Sequence, residues 1–256
     1  MRLEIFENIK SGKNALLRIV SQLILRFRLK NSTFTIISNN CWGAEIYKEA
    51  GLQYLTPFIG LYIFAPCYIR MLGNLRKYLS QSLKFATVSK YDLANERREA
   101  LGNKYPIGIL GGGEDSVEIH FAHYKNELEA KEKWIRRIRR INWNNLFFKA
   151  DDRDLANDDF LNAFDRLPFP NKVLFVTHNN PSLQSAVWIE DRNMDPFVPD
   201  GMALYLKCKK YFDVAAWLNR KGGHVNIILG MFYGLLEKCT GHSPRDEAWI
   251  DDSSPS

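Results

Sequence analysis

No two cysteines of this chain stand at metal-binding or redox spacing. Cys41, Cys67, Cys208 and Cys239 lie far apart, so neither a zinc site, a C-x-x-C centre nor a disulfide framework is expected. No cleavable leader is expected either, because Arg18, Gln22, Arg26 and Arg28 interrupt the apolar stretch from Ala15 to Leu29. The longest apolar run, Pro57 to Ile69, has 13 residues with two prolines and a glycine, short of the roughly 20 that cross a bilayer. There is no repeat, no low-complexity segment and no linker. No helix-turn-helix, zinc-finger or RNA-binding signature appears, which argues against nucleic acid as a partner. The triple glycine 111–113 is followed by Glu114 and Asp115, where a phosphate-binding loop wants Lys and Ser or Thr, so it reads as a hairpin turn. These absences leave a reducing cytoplasm as the expected location.

What is present is enough apolar residue for a full core: 46% of 256 residues. The expected organisation is a basic amphipathic helix over 1–30, a single α/β domain over 31–239 and a disordered acidic tail over 240–256. The net charge of +6 hides a split. Residues 1–150 carry 24 Lys and Arg against 13 Asp and Glu, and residues 151–256 carry 11 against 16. The basic part suggests an anionic partner, such as a membrane surface or a phosphorylated substrate. Leu16, Ile19, Val20, Leu23 and Phe27 form the apolar stripe of the first helix. That stripe fits either peripheral contact with the inner membrane face or packing on the protein's own core.

The rest of the chain alternates between short apolar runs and helical patterns. Thr33–Ser38 reads as a strand, with a helix from Gly43 to Ala50 closed by Gly51. Ala65-Pro66-Cys67 opens a helix carrying Ile69, Leu72, Leu75 and Leu79. Phe85–Val88, Pro106–Leu110, Leu146–Lys149, Lys172–Thr177 and Ser185–Ile189 read as strands, and Val117–Tyr124 alternates with period two. Asn126 caps a helix with acids in its first turn and arginines in its last, matching the macrodipole. Further helices are expected over 160–167, 211–219 and 225–236. The pattern predicts a three-layer α/β/α fold with a mostly parallel sheet.

In such folds ligands bind beyond the carboxyl ends of the strands, which directs attention to Ser38-Asn39-Asn40-Cys41-Trp42 and to His178-Asn179-Asn180. Cys41, at a helix start, is expected to lean toward thiolate, with His120 or His123 as base if their strand neighbours the first. The other reading of Cys41 is a small buried hydrophobe. Asn39, Asn40 and Trp42, with His178 and Asn179, are candidates for binding a sugar hydroxyl or an oxyanion. Helix capping is an equal reading for the two asparagines. Asp151, Asp152 and Asp154 follow a strand and could orient a sugar. Arg136, Arg137 and Arg140 could grip a pyrophosphate or be a solvated face. No metal-ligand spacing and no cofactor motif is evident; Mg²⁺ enters only if the aspartates and arginines serve glycosyl transfer.

Several segments together resemble one family: Ile-Ser-Asn-Asn-Cys-Trp-Gly-Ala-Glu-Ile-Tyr (37–47), Gly-Leu-Gln-Tyr-Leu-Thr-Pro-Phe-Ile-Gly-Leu (51–61), Phe-Ala-Pro-Cys-Tyr-Ile (64–69), His-Phe-Ala-His-Tyr (120–124), Lys-Trp-Ile-Arg-Arg-Ile-Arg-Arg-Ile-Asn-Trp (133–143) and Phe-Pro-Asn-Lys-Val (169–173). The chain is similar over about 33–222 to the bacterial domain-of-unknown-function family 1919, proteins associated with exopolysaccharide and capsule biosynthesis. The resemblance implies an α/β fold and work on a glycan or activated-sugar intermediate. A more remote similarity, in the order of the cysteine turn and a later strand histidine, is to papain-like cysteine enzymes. The expected function is therefore surface-polysaccharide assembly. Three forms stay open: an enzyme of group transfer or hydrolysis using Cys41, a non-catalytic sugar- or partner-binding component, and a glycosyltransferase-like enzyme using Asp and Arg groups.

Overall fold

The computed structural model describes residues 19–102, 105–190, 196–225 and 227–240. The expected acidic tail beyond 240 and residues 1–18 of the expected N-terminal helix lie outside them. The part of that helix that is described, α1, covers residues 19–28.

Four parallel strands form the main sheet: β1 (Thr35–Ser38), β5 (Leu146–Asp151), β6 (Lys172–Val176) and β7 (Ala186–Trp188), in that spatial order. Their side chains alternate between two cores, as the period of a strand requires. Ile37, Phe148, Ala150, Leu174 and Val176 face one core. Ile36, Phe147, Val173 and Phe175 face the other. Helices α3 (Ala65–Gly73) and α7 (Asp158–Arg166) pack in the first core, joined by Trp134 of α6 (Glu127–Ile138). Helices α2 (Trp42–Ala50), α8 (Gly201–Cys208) and α9 (Val214–Leu218) cover the second. The chain is thus α/β with helical layers on both sides of a parallel sheet.

Two local features behave as the sequence requires. Helix α2 ends where Gly51 takes φ +70 and returns its N–H to the carbonyls of Tyr47 and Lys48, a left-handed conformation that glycine adopts without cost. Helix α6 begins where the Asn126 side chain accepts the Glu129 N–H at 2.9 Å.

Between β1 and β5 the chain makes a second, antiparallel sheet, in the order β2 (Lys84–Ala86), β3 (Ile107–Leu110) and β4 (Val117–His120). Strand β4 stops at His120, although the alternation runs on to Tyr124. The Ala122 N–H turns back to the His120 carbonyl, and Phe121 and His123 donate to Pro106 and Gly60 outside the ladder. The edge of β4 pairs with Tyr62, so β4 does not neighbour β1. Two further helices, α4 (Leu75–Leu79) and α5 (Asp92–Ala100), precede and follow β2 in the chain. The last described helix is α10 (Ile227–Thr240). Among the described residues no helix is long and apolar enough to cross a membrane.

Candidate functional site at the carboxyl edge of the parallel sheet

Strands β1 and β5 are neighbours in register, Ser38 beside Lys149. The Asn39-Asn40 turn therefore meets the end of β5. Lys149 and Asp151 are two residues apart on that strand and share one face. Both are fully buried and paired to each other. Asn39 and Asn40 complete the cluster: their amide nitrogens donate to Asp151 Oδ1 and Oδ2 at 2.8 and 2.7 Å. Their amide oxygens accept from Lys149 Nζ at 3.1 and 2.9 Å. Burial works against the Asp151 charge, but Lys149 and the two amides outweigh it and hold the carboxyl below its usual range. The Tyr68 hydroxyl lies 2.9 Å from the carbonyl oxygens of both Ile37 and Lys149, tying the two strands together. The asparagines and Asp151 face each other and Lys149, with no solvent face left for a ligand. Asn40 Oδ1 also accepts the N–H of Trp42, the first residue of α2, at 3.2 Å.

Cys41 stands at the start of α2 as expected, yet its thiol is pushed up to about 12. Burial is the first cause, with Glu45 and Asp200 adding to it, while hydrogen bonds from the backbone of Gly60 and Leu61 only partly offset them. The helix dipole is the weaker effect here because desolvation of a thiolate acts at full strength. Cys41 Sγ donates to the Leu61 carbonyl at 3.5 Å. Iodoacetamide is accordingly expected to label Cys41 slowly at pH 8 in the native protein. A mass-spectrometric labelling midpoint below the free-thiol value of about 8.5 would contradict this.

Neither histidine reaches Cys41 by hydrogen bond. His120 is fully buried, stacked on Tyr62 with ring centroids 4.6 Å apart and flanked edge-on by Phe64 and Tyr105. Its two ring nitrogens have no hydrogen-bond partner among the described residues. Glu118 Oε2, 3.5 Å from Nε2, is held instead by the Ser89 hydroxyl at 2.5 Å. Burial, then Arg97, Arg98 and Lys90, push His120 down to about 3. His123 lies at the surface, beyond the end of β4.

Trp42 is a core residue. Its indole is buried among Phe175, Tyr205 and Trp217, and Nε1 donates to Cys208 Sγ at 3.4 Å. The arginines part company: Arg136 is exposed on α6, whereas Arg137 is buried, donates to the Tyr124 hydroxyl at 2.6 Å and lies over the Tyr54 ring. Arg140 is past the end of the helix. The aspartates diverge as well. Asp151 belongs to the lysine cluster. Asp154, in a left-handed conformation at φ +55, pairs with Arg97 at 2.8 Å. Among the described residues no group of three or more His, Cys, Asp and Glu is placed to hold a metal ion.

Asp152 points elsewhere. Its Oδ2 accepts from the Thr177 N–H at 2.7 Å and the Thr177 hydroxyl at 2.8 Å, and its Oδ1 from the Val198 N–H at 2.9 Å. Burial raises its carboxyl, and these bonds only partly counter it. Thr177 Oγ1 in turn stands 3.1 Å from His178 Nδ1. The end of β6 thus carries a chain from buried carboxylate through hydroxyl to an exposed imidazole, with Asn179 exposed next to it. This chain borders a cavity of about 190 Å³ lined by Asp152, Asn157, His178, Asn180, Leu161 and Phe197, among others. Its polar groups converge among apolar walls, the usual make-up of a small-molecule site. Sequence reasoning missed Lys149, although a lysine inside Phe-Phe-Lys-Ala-Asp is itself a sign of a buried pair. It also missed Thr177, Phe197 and the whole of α8.

The fold and this edge define an α/β protein with a small cleft of mixed polar and apolar lining beyond the carboxyl ends of β5 and β6. The chain belongs to the family described as Domain of unknown function (DUF1919), whose model matches residues 13–219. It is 35% identical over 218 residues to an uncharacterized protein of Haemophilus influenzae (strain ATCC 51907 / DSM 11121 / KW20 / Rd), covering 84% of this chain and 98% of the relative.

Proposed function

We propose that this is a cytoplasmic enzyme of surface-polysaccharide assembly, working near the inner membrane face. It takes one sugar ring of a glycan or activated-sugar intermediate into the cleft of Asp152 and His178. The cavity carries this reading: about 190 Å³ is small for a drug-sized ligand and suits a single ring. Asn157 and Asn180, whose amide oxygens are held by the Phe160 N–H and by Ser182, supply amide N–H groups, and Asp158 a carboxylate, as partners for hydroxyl groups. Leu161, Val176 and Phe197 supply the apolar face that a pyranose also needs. The resemblance to exopolysaccharide and capsule proteins supports the polysaccharide setting.

His178 is the acid-base group of this reading. The Thr177 hydroxyl commits its proton to Asp152 Oδ2, so Thr177 Oγ1 accepts from His178 Nδ1–H. Nε2 then keeps its lone pair for a sugar hydroxyl. Removing a proton from that hydroxyl activates it for group transfer, and the same imidazole activates water for hydrolysis. A Cys41 nucleophile, the papain-like form of the idea, has the raised thiol against it.

Saturation-transfer NMR with glucose, galactose and N-acetylglucosamine as probes tests the cleft. At least one is expected to show saturation from the wild type, with affinity about tenfold weaker, ~1.4 kcal/mol, in His178→Ala and in Phe197→Ala. Both side chains are exposed, so the fold survives their removal. No transfer to any of the three probes, or transfer untouched by both substitutions, removes the cleft as a sugar site.

A further inference from the structure

Helix α1 turns its apolar stripe outward. Ile19, Leu23 and Phe27, one turn apart, are 52%, 59% and 89% exposed. The opposite side of the helix is held by polar contacts that fix its roll. The Ser21 hydroxyl donates to Glu49 at 2.6 Å, and Arg28 pairs with Asp213 at 2.5 Å. Lys209 joins the Ser21–Glu49 pair. The stripe is therefore presented to solvent by a braced helix.

Helix α10 does the same. Met231 and Leu235 are 66% and 61% exposed. The two helices share a crevice, lined by Ile24 and Leu25 from α1 and by Leu229 and Tyr233 from α10. Large apolar side chains displayed on two adjoining helices are unusual for a surface that meets only water.

Charge selects the occupant. Arg26 and Lys30 are exposed beside the α1 stripe, Arg26 with its Nε donating to the Glu49 carbonyl at 3.1 Å. Lys210 lies along α10, its side chain close to Gly234 and its carbonyl close to Gly230. A second copy docking on this face would bring like charges together, whereas an anionic surface meets both the apolar stripes and the cations. Among the described residues neither helix is long and apolar enough to cross a bilayer, so both would lie in its plane. We propose that α1 and α10 together form a docking face for an anionic lipid bilayer. This inference is independent of the sugar cleft.

Co-sedimentation with vesicles of phosphatidylglycerol and phosphatidylcholine, against phosphatidylcholine alone, tests it with the full chain. The wild type is expected to sediment with the anionic vesicles, and less as salt is raised. The paired substitutions Leu23→Gln/Phe27→Gln and Met231→Gln/Leu235→Gln should each weaken partitioning about tenfold, from the apolar area lost, with unchanged far-ultraviolet circular dichroism. Absence of vesicle binding by the wild type overturns the proposal, as does binding by both variants that equals that of the wild type. An effect of the α1 pair alone overturns the part given to α10. Light scattering is expected to show no dimer that either variant abolishes; such a dimer would assign the face to a second copy.

Discussion

Lys149→Met is expected to destabilise the protein by about 3–5 kcal/mol, the cost of leaving a buried carboxylate without its cation. Asp151 would keep the Asn39 and Asn40 amides, at 2.8 and 2.7 Å, and the longer bond from the Arg153 N–H at 3.4 Å, while the Asn39 amide oxygen would lose its Lys149 donor and that of Asn40 would keep the Trp42 N–H. The double variant Lys149→Met/Asp151→Leu should lose less than the single one, because it removes both charges from the interior. Urea denaturation of the two variants and the wild type gives the coupling directly. A single-variant loss under about 1 kcal/mol, the range of exposed pairs, would show that the cluster is not a buried charge pair in solution. Acid should act on the same cluster. A carboxyl held low in the folded state contributes stability that is fully present above its unfolded pKa of about 3.9 and lost as pH falls through the folded value.

His120 has the second large expected effect, in a different pH window. The folded protein keeps it neutral down to about pH 3, whereas an unfolded histidine takes up its proton near 6.5. Below 6.5 the unfolded chain therefore binds more protons, and stability declines steadily until the folded imidazole itself titrates. From pH 7 to 4.5 this one side chain should remove about 2 to 3 kcal/mol. His120→Phe keeps an aromatic ring against Tyr62, Phe64 and Tyr105 but binds no proton. Its stability at pH 7 is expected to fall below that of the wild type, since a larger ring in a packed site commonly costs about 1–3 kcal/mol. The informative quantity is the change in unfolding free energy between the two pH values, which should be smaller in the variant by that 2 to 3 kcal/mol. Equal changes would mean that His120 is hydrated or hydrogen-bonded in solution.

Much of the architecture was legible residue by residue, because the signals are local. The apolar runs at 35–38, 146–151 and 172–176 become the central strands. Gly51 and Asn126 end and begin their helices through bonds to residues three or four positions away. The repeated polar-Asn-Asn endings of β1 and β6 do lie at the same edge, since those strands run parallel on either side of β5. The antiparallel sheet was not legible as a separate unit. Its strands are three or four residues long, and the ladder that ends at His120 is decided by Tyr62, Pro106 and Gly60 from other segments. The alternation of Val117–Tyr124 therefore described a longer strand than the fold makes.

The same division runs through the candidate site. From its own residues the chain determined that polar and titratable groups gather where strands turn into helices, at Asn39, Asn40, Cys41, Asp151, Asp152 and His178. Which of them are free to meet a ligand was decided only by tertiary structure. Asn39 and Lys149, 110 residues apart, satisfy one another, and Asp154 is taken by Arg97, while Asp152 is turned toward Thr177 and the cleft. The physical reason is that helix caps and dipoles act over a turn of neighbouring chain. Desolvation and ion pairing depend instead on everything packed around a group, and at Cys41 and His120 that packing outweighs what their own sequence neighbourhoods imply.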